Sequence, residues 1–557
     1  MKSPLRRLCQ IFASYGPGMA SEKAALLERL ERAALPRAKD VLALHEALCF
    51  LRAYPDDDEV LGLADRMLER FAERRDSRRH RRALADSGVA GTETSFRFFA
   101  PAARRLARRW PGQVRVDWRQ FDGDARLLRL LPFLALESER AAFDEEGLTA
   151  RAWLLKHKGE RTDAAFLLER WDALGHDRAV LDALYDDLDP PLVLSPGPDT
   201  PCRTREKVPG LPVTFQTGPL SRARPDLSAE LERGPLSIRD ATATEAVALI
   251  EMARSAMVPR ERDLEVFAYA NPADVRLVDA GGGLVFACIG VLPERRSLLE
   301  AVVGFLMLKN GVVLGYALCS ALFRSSEIAF NVFESFRGGE AAVTFGRLLS
   351  VVRALYGSDV FAIDPYQLGH GNKEGLKSGA FWFYAKLGFG PRDRDVRRVY
   401  EGELSRMRAD RAHRSDLATL KQLVPGYVFF PAKGRADVLG ELSPTRVAGA
   451  LSRLIAERFA GDRARAKATC EAEAGERLEL RQSELASWSP DERSAFERWA
   501  PLVVALEGLD AWSTDERRAA LQVIRDKGGV REDTFVERFE RHAKLREAVR
   551  RLASARR

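Results

Sequence analysis

The dipeptide Asn310-Gly311 separates two apolar runs, Phe305–Leu308 and Val312–Leu318. Asn and Gly accept the two positive-φ positions of a type I′ turn, so the runs beside them are expected to pair antiparallel as a hairpin. A helix through this point is excluded, and the surrounding sequence agrees. Leu236–Arg239, Leu284–Val291, Glu327–Phe333 and Val360–Tyr366 are β-branched or aromatic runs bounded by Gly, Asn or Pro, and they read as strands. Between them, Thr242-Ala243-Thr244-Glu245 is a capping box opening the apolar-periodic stretch Ala246–Ala256, and Val343, Phe345, Leu348, Leu349 and Val352 recur at helical spacing. Residues 236–400 are therefore expected to form an α/β domain.

The flanks differ. From about Ala20 to Asp187 the chain is rich in Ala, Leu, Arg and Glu, with Val41, Leu44, Leu48 and Leu51 on a helical period, so residues 1–188 are expected to be a helical domain. Within it Tyr54-Pro55-Asp56-Asp57-Asp58 ends one helix and caps the next. Ten of the chain's 27 prolines fall between Asp189 and Pro235. Proline disfavours helix interiors and central strands, so residues 189–235 read as a linker wrapped over the surface. Residues 401–557 turn helical again, with capping boxes at Ser489 to Glu492 and Ser513 to Glu516 and a core of Trp488, Phe496, Trp499, Trp512, Phe535 and Phe539. At 557 residues, several such units are expected rather than one core.

Composition narrows the class. Hydrophobic residues at 46% and charged residues at 30% are globular values, and no apolar run reaches the roughly 20 residues that span a bilayer. A cytoplasmic protein without a membrane span is expected. The six cysteines show no metal-ligand spacing, so neither disulfides nor a metal site is expected, and Cys288 and Cys319 read as small buried hydrophobes. The net charge of +7 is concentrated in Arg74–Arg82 and Arg104–Arg109. Both runs read as solvated helix faces in preference to a nucleic-acid surface.

The chemistry-bearing residues lie in the α/β segment. The strand Glu327–Phe333 runs into Glu334-Ser335-Phe336-Arg337-Gly338-Gly339-Glu340-Ala341-Ala342 and then a helix. A strand, a glycine-bearing loop and a helix N-terminus make an anion site, because unpaired amides and the helix dipole both favour negative charge. After the strand beginning at Val360 come Asn372 and Ala380-Phe381-Trp382-Phe383-Tyr384-Ala385-Lys386-Leu387-Gly388-Phe389. In order and spacing these two motifs resemble the GNAT superfamily of N-acyltransferases.

That resemblance implies a mixed, largely antiparallel sheet with flanking helices, and acetyl-CoA or a longer acyl-CoA as co-substrate. An acyl carrier protein is the alternative donor, and the acceptor is an amine. It places Val332 and Phe333 on the strand that splays to receive the pantetheine arm. Arg337, Gly338, Gly339, Ala341 and Ala342 would cradle the pyrophosphate, Asn372 would touch the arm, and Tyr384 would protonate the departing thiolate. Glu340 stands where the family pattern takes Gly, so its carboxylate is expected to turn away or to pair with a cation such as Arg347. An amine acceptor must lose a proton, and Glu327, Glu334, Asp364 and His370 are the candidate bases. Trp382 faces either the core or the cleft. The alternative to an enzyme is a non-catalytic GNAT-like scaffold or ligand sensor between helical interaction domains.

Overall fold

A computed structural model describes residues 3–141, 147–175 and 177–554. The chain forms two compact units: one comprises residues 1–220, 248–268 and 309–313, the other 221–247, 269–308 and 314–557.

The first unit is helical with one small sheet. The turn at Pro55 does what its composition requires: the helix Ala38–Ala53 stops, and Asp57 caps Asp58–Glu69 by accepting the Val60 amide at 2.9 Å. Beneath the turn Lys23, fully buried, meets Asp56 at 2.7 Å. An all-helical reading of this region misses three strands, β1 (Thr94–Phe96), β2 (Val114–Val116) and β3 (Leu192–Leu194), which form an antiparallel sheet with β3 in the middle. The third belongs to the proline-rich stretch expected as a linker. That stretch is threaded through the unit as far as Leu220: Leu192–Leu194 are buried, and Arg203 holds Glu46 at 2.6 Å. Proline removes donors only where it stands, and Pro190, Pro191 and Pro196 flank β3 and leave its own amides free to pair.

The second unit is built on a sheet of nine strands: β4 (Ser237–Asp240), β5 (Ala270–Gly281), β6 (Leu284–Val291), β7 (Ala301–Lys309), β8 (Val312–Leu322), β9 (Ser325–Val332), β10 (Val360–Ile363), β11 (Gly390–Pro391) and β12 (Val428–Phe430). Their order is β11-β12-β10-β9-β8-β7-β6-β5-β4. The hairpin tip between β7 and β8 is Asn310 and Gly311, with φ of 51° and 79° as the turn demands. Pairings β4–β5, β5–β6, β8–β9, β10–β12 and β11–β12 are antiparallel, whereas β9–β10 is parallel. A parallel pair needs a crossover, supplied here by the helix Ala341–Tyr356, whose apolar stripe Phe345, Leu348, Leu349 and Val352 is buried. The sheet passes the boundary expected at residue 400, because β12 inserts between β10 and β11. Beyond it lie helices from Pro444 to Ser554, with both capping boxes formed and Trp499 packed on Phe539 at 5.5 Å. Among the described residues no helix is long and apolar enough to cross a membrane.

Candidate active site

Strand β9 is paired with β8 along its whole length, from Ser325 opposite Leu322 to Val332 opposite Gly315. On its other side it pairs with β10 only at Ser325, Ser326 and Glu327, opposite Val360, Phe361 and Ala362. β10 ends at Ile363, which pairs only with Val428 of β12, on the opposite edge of β10. The two parallel strands thus part after Glu327, and a wedge opens along Ile328–Val332. An edge opened inside a sheet offers amides and carbonyls to an extended guest, as an outer edge does.

Glu327 stands at the apex of this wedge. Its carboxylate accepts the phenol of Tyr427 at 3.1 Å, and Asp364 follows β10 close by. Burial and then the charge of Asp364 push the Glu327 carboxyl up to about 7, against a smaller downward pull from the Tyr427 hydrogen bond. Such a group exchanges a proton near neutrality. Side chains alternate along a strand, so Glu327, Ala329 and Asn331 share one face, while Phe330 on the other packs against Phe345 at 5.1 Å.

At the open end of the wedge, Glu334–Phe336 form a single 3₁₀ turn and Ala341 begins a 16-residue helix. Arg337 is exposed and reaches Glu374 at 3.2 Å and the Val332 carbonyl at 3.4 Å. The Gly339 amide is bonded to Phe336 at 2.9 Å, whereas nothing lies within 4 Å of where a side chain on Gly338 would begin. The helix's first intrahelical donor is Thr344, bonded to Glu340 at 2.8 Å, so the amides of Ala341, Ala342 and Val343 precede the ladder. Glu340 does not cap them. Its carboxylate accepts the Ser221 amide at 3.1 Å and acts on Arg347 through its charge, while the Arg347 guanidinium holds Glu230 at 2.9 Å and the Ala280 carbonyl.

The other expected residues are placed unevenly. Asn372 caps the helix Lys373–Ser378, its oxygen on the Gly375 amide at 3.0 Å and its nitrogen on the Tyr366 carbonyl at 3.2 Å, so both ends of the carboxamide are engaged. His370 and Glu334 are exposed on turns. Tyr384 is buried among the rings of Phe345, Phe383 and Phe389, and burial holds its phenol well above the usual range. Trp382 turns into the core, where it donates to Ser415 at 3.1 Å and stacks on Tyr400, so it lines no cleft. Among the four candidate bases, Glu327 and Asp364 come together and the other two stand apart. Sequence reading missed Tyr427, which lies beyond residue 400 just ahead of the short strand Val428–Phe430.

Comparison of the chain with protein-family models, curated proteins and solved structures returned no match.

Proposed function

We propose that this protein is an N-acyltransferase of the GNAT kind, moving an acyl group from a thioester of coenzyme A, or of an acyl carrier protein, directly to an amine. The observation that carries this reading is the parting of β9 from β10 with Glu327 at the apex. A thioester supplies an electrophilic carbonyl and a thiolate leaving group; the rest of the work falls to the chain. The open edge at Ile328–Val332 suits an extended amide-bearing arm such as pantetheine. The first-turn amides from Ala341 to Val343, with Gly338 and Arg337, suit a pyrophosphate. Glu340 is no obstacle while its carboxylate is held by Ser221.

In this scheme Glu327 takes the proton that an ammonium acceptor must lose, since a carboxyl that titrates near 7 is matched to that task. Tyr384, kept protonated by its burial, is the acid expected to serve the departing thiolate. No cysteine intermediate enters: Cys288 and Cys319 are buried, and burial pushes their thiols up to about 11 and about 12.

The second reading, a non-catalytic GNAT-like scaffold or ligand sensor, is favoured by the engaged carboxamide of Asn372 and the enclosed phenol of Tyr384. Calorimetric titration with acetyl-CoA and longer acyl-CoAs, followed by thiol release with a panel of amines, separates the two. Binding with amine-dependent thiol release supports the enzyme. Binding without release supports the sensor, and no binding removes coenzyme A from both.

A further inference from the structure

The two arginine runs of the first unit are used differently. In the second run, Arg104 pairs with Asp182, Arg105 and Arg109 with Glu251, and Arg108 with Asp172. In the first run only Arg74 is engaged, by Asp76 at 2.8 Å. Among the described residues, the side chains of Arg75, Arg78, Arg79, Arg81 and Arg82 make no ion pair or hydrogen bond, and all five residues are exposed.

Their placement is ordered. The helix Arg75–His80 continues through turns, with the Leu84 amide on the His80 carbonyl at 3.0 Å. Arg75, Arg78 and Arg79 are spaced i, i+3 and i+4 on this helix and share one face, and Arg81 and Arg82 follow in the turns that extend it. The opposite face is locked down: Asp76, Ser77 and Leu84 are buried, and Asp76 accepts the Leu35 and Ser77 amides at 2.9 Å besides holding Arg74. Like charges at these spacings repel, and among the described residues none of the nearby acids forms an ion pair with them: Glu31 is taken by Arg66 at 3.0 Å, Glu69 and Glu73 stand ahead of the run, and Asp86 follows it. A polyanion laid along the face would relieve that repulsion.

We propose that the arginine face Arg75, Arg78, Arg79 and Arg82 binds the phosphodiester backbone of a nucleic acid without reading its bases. Four guanidinium forks along one short helix and the turns after it match closely spaced phosphates and bind them bidentately. A lipid surface fits less well, because the apolar side of this segment is committed to the unit's interior and offers nothing to insert. Beyond its arginines the segment offers little for base readout: from Arg74 to Ser87 it holds no Asn, Gln or aromatic ring except His80.

The test is fluorescence anisotropy of a short labelled duplex DNA, and of a single-stranded RNA, with the full chain between about 50 and 200 mM salt. The wild type is expected to bind with a log–log salt slope of about −3 to −4, four phosphates at roughly −0.9 each. Replacing all four arginines by Gln should lower affinity at least tenfold and leave the melting temperature unchanged. Arg108→Gln with Arg109→Gln, which removes paired charges, should change affinity less than twofold. Should the fourfold variant unfold, Arg78→Gln and Arg82→Gln singly should each reduce the slope by about one. The proposal is overturned by absence of binding, by equal effects of the paired and unpaired substitutions, or by phosphatidylserine vesicles competing better than either nucleic acid.

Discussion

Tyr427 and Glu327 are a hundred positions apart and meet at 3.1 Å, the phenol donating to the carboxylate where two parallel strands separate. This contact joins the approach to β12, the last strand of the sheet in the sequence, to the residue on which the proposed chemistry turns.

The pH dependence of acyl transfer should follow that residue. With the Glu327 carboxyl pushed up to about 7, turnover is expected to rise through neutral pH and then level off, and Glu327→Gln should lower it by about two orders of magnitude or more. Tyr427→Phe removes a hydrogen bond that favours the carboxylate, so the inflection should move to higher pH. A profile of kcat/KM for the three proteins decides it, and an unmoved inflection in Tyr427→Phe would show that another group titrates.

Glu327 should also leave a mark on stability. Its folded carboxyl titrates above its ordinary value of 4.5, so protons are held more tightly folded than unfolded. Its favourable contribution is present below about 4.5 and is lost as pH rises through about 7. Glu327→Gln should therefore stabilise the protein at pH 8, by about 2–3 kcal/mol at most, and much less at acid pH. Thermal melts at the two pH values give the answer.

Arg337→Glu should weaken acyl-CoA binding by about an order of magnitude, through loss of a phosphate partner and gain of a like charge. The Arg337–Glu374 pair is exposed, so its loss should cost under about 1 kcal/mol of stability. Titration and melting measured side by side distinguish a binding residue from a folding one.

Tyr384→Phe should lower turnover with little change in acyl-CoA affinity, the ring and its packing on Phe345 and Phe389 being retained. Unchanged turnover would take the acid role from Tyr384.

In the first unit, Asp56→Ala leaves the fully buried ammonium of Lys23 without its partner and should destabilise by about 3–5 kcal/mol. Replacing both by Met and Leu should recover most of that loss in a denaturant titration, because the penalty lies in the uncompensated charge.

What the sequence made legible was local. Asn310-Gly311 announced its hairpin, Ser489 and Ser513 their helices, and the run around Phe345 the buried face of its helix, because each depends on residues within a turn or two. The fate of Val428–Phe430 did not show, since three residues carry little periodicity and its partners lie some 70 positions back at Phe361–Ile363 and 40 back at Gly390. β3 was hidden by its flanking prolines. At the site, the residue types at Glu327 and Arg337 were readable, but the engagement of Asn372, the enclosure of Tyr384 and the arrival of Tyr427 depend on packing that no short window records.

The insertion of β12 between β10 and β11 has a consequence for synthesis. A nascent chain that has just cleared the ribosome with both cofactor-like motifs, up to residue 400, lacks the strand that seals the far side of β10 and the phenol that seats Glu327. The carboxylate proposed as the base would meet water until some thirty more residues had emerged. On the proposed reading, competence is therefore acquired late, by an element outside the segment that carries the two motifs.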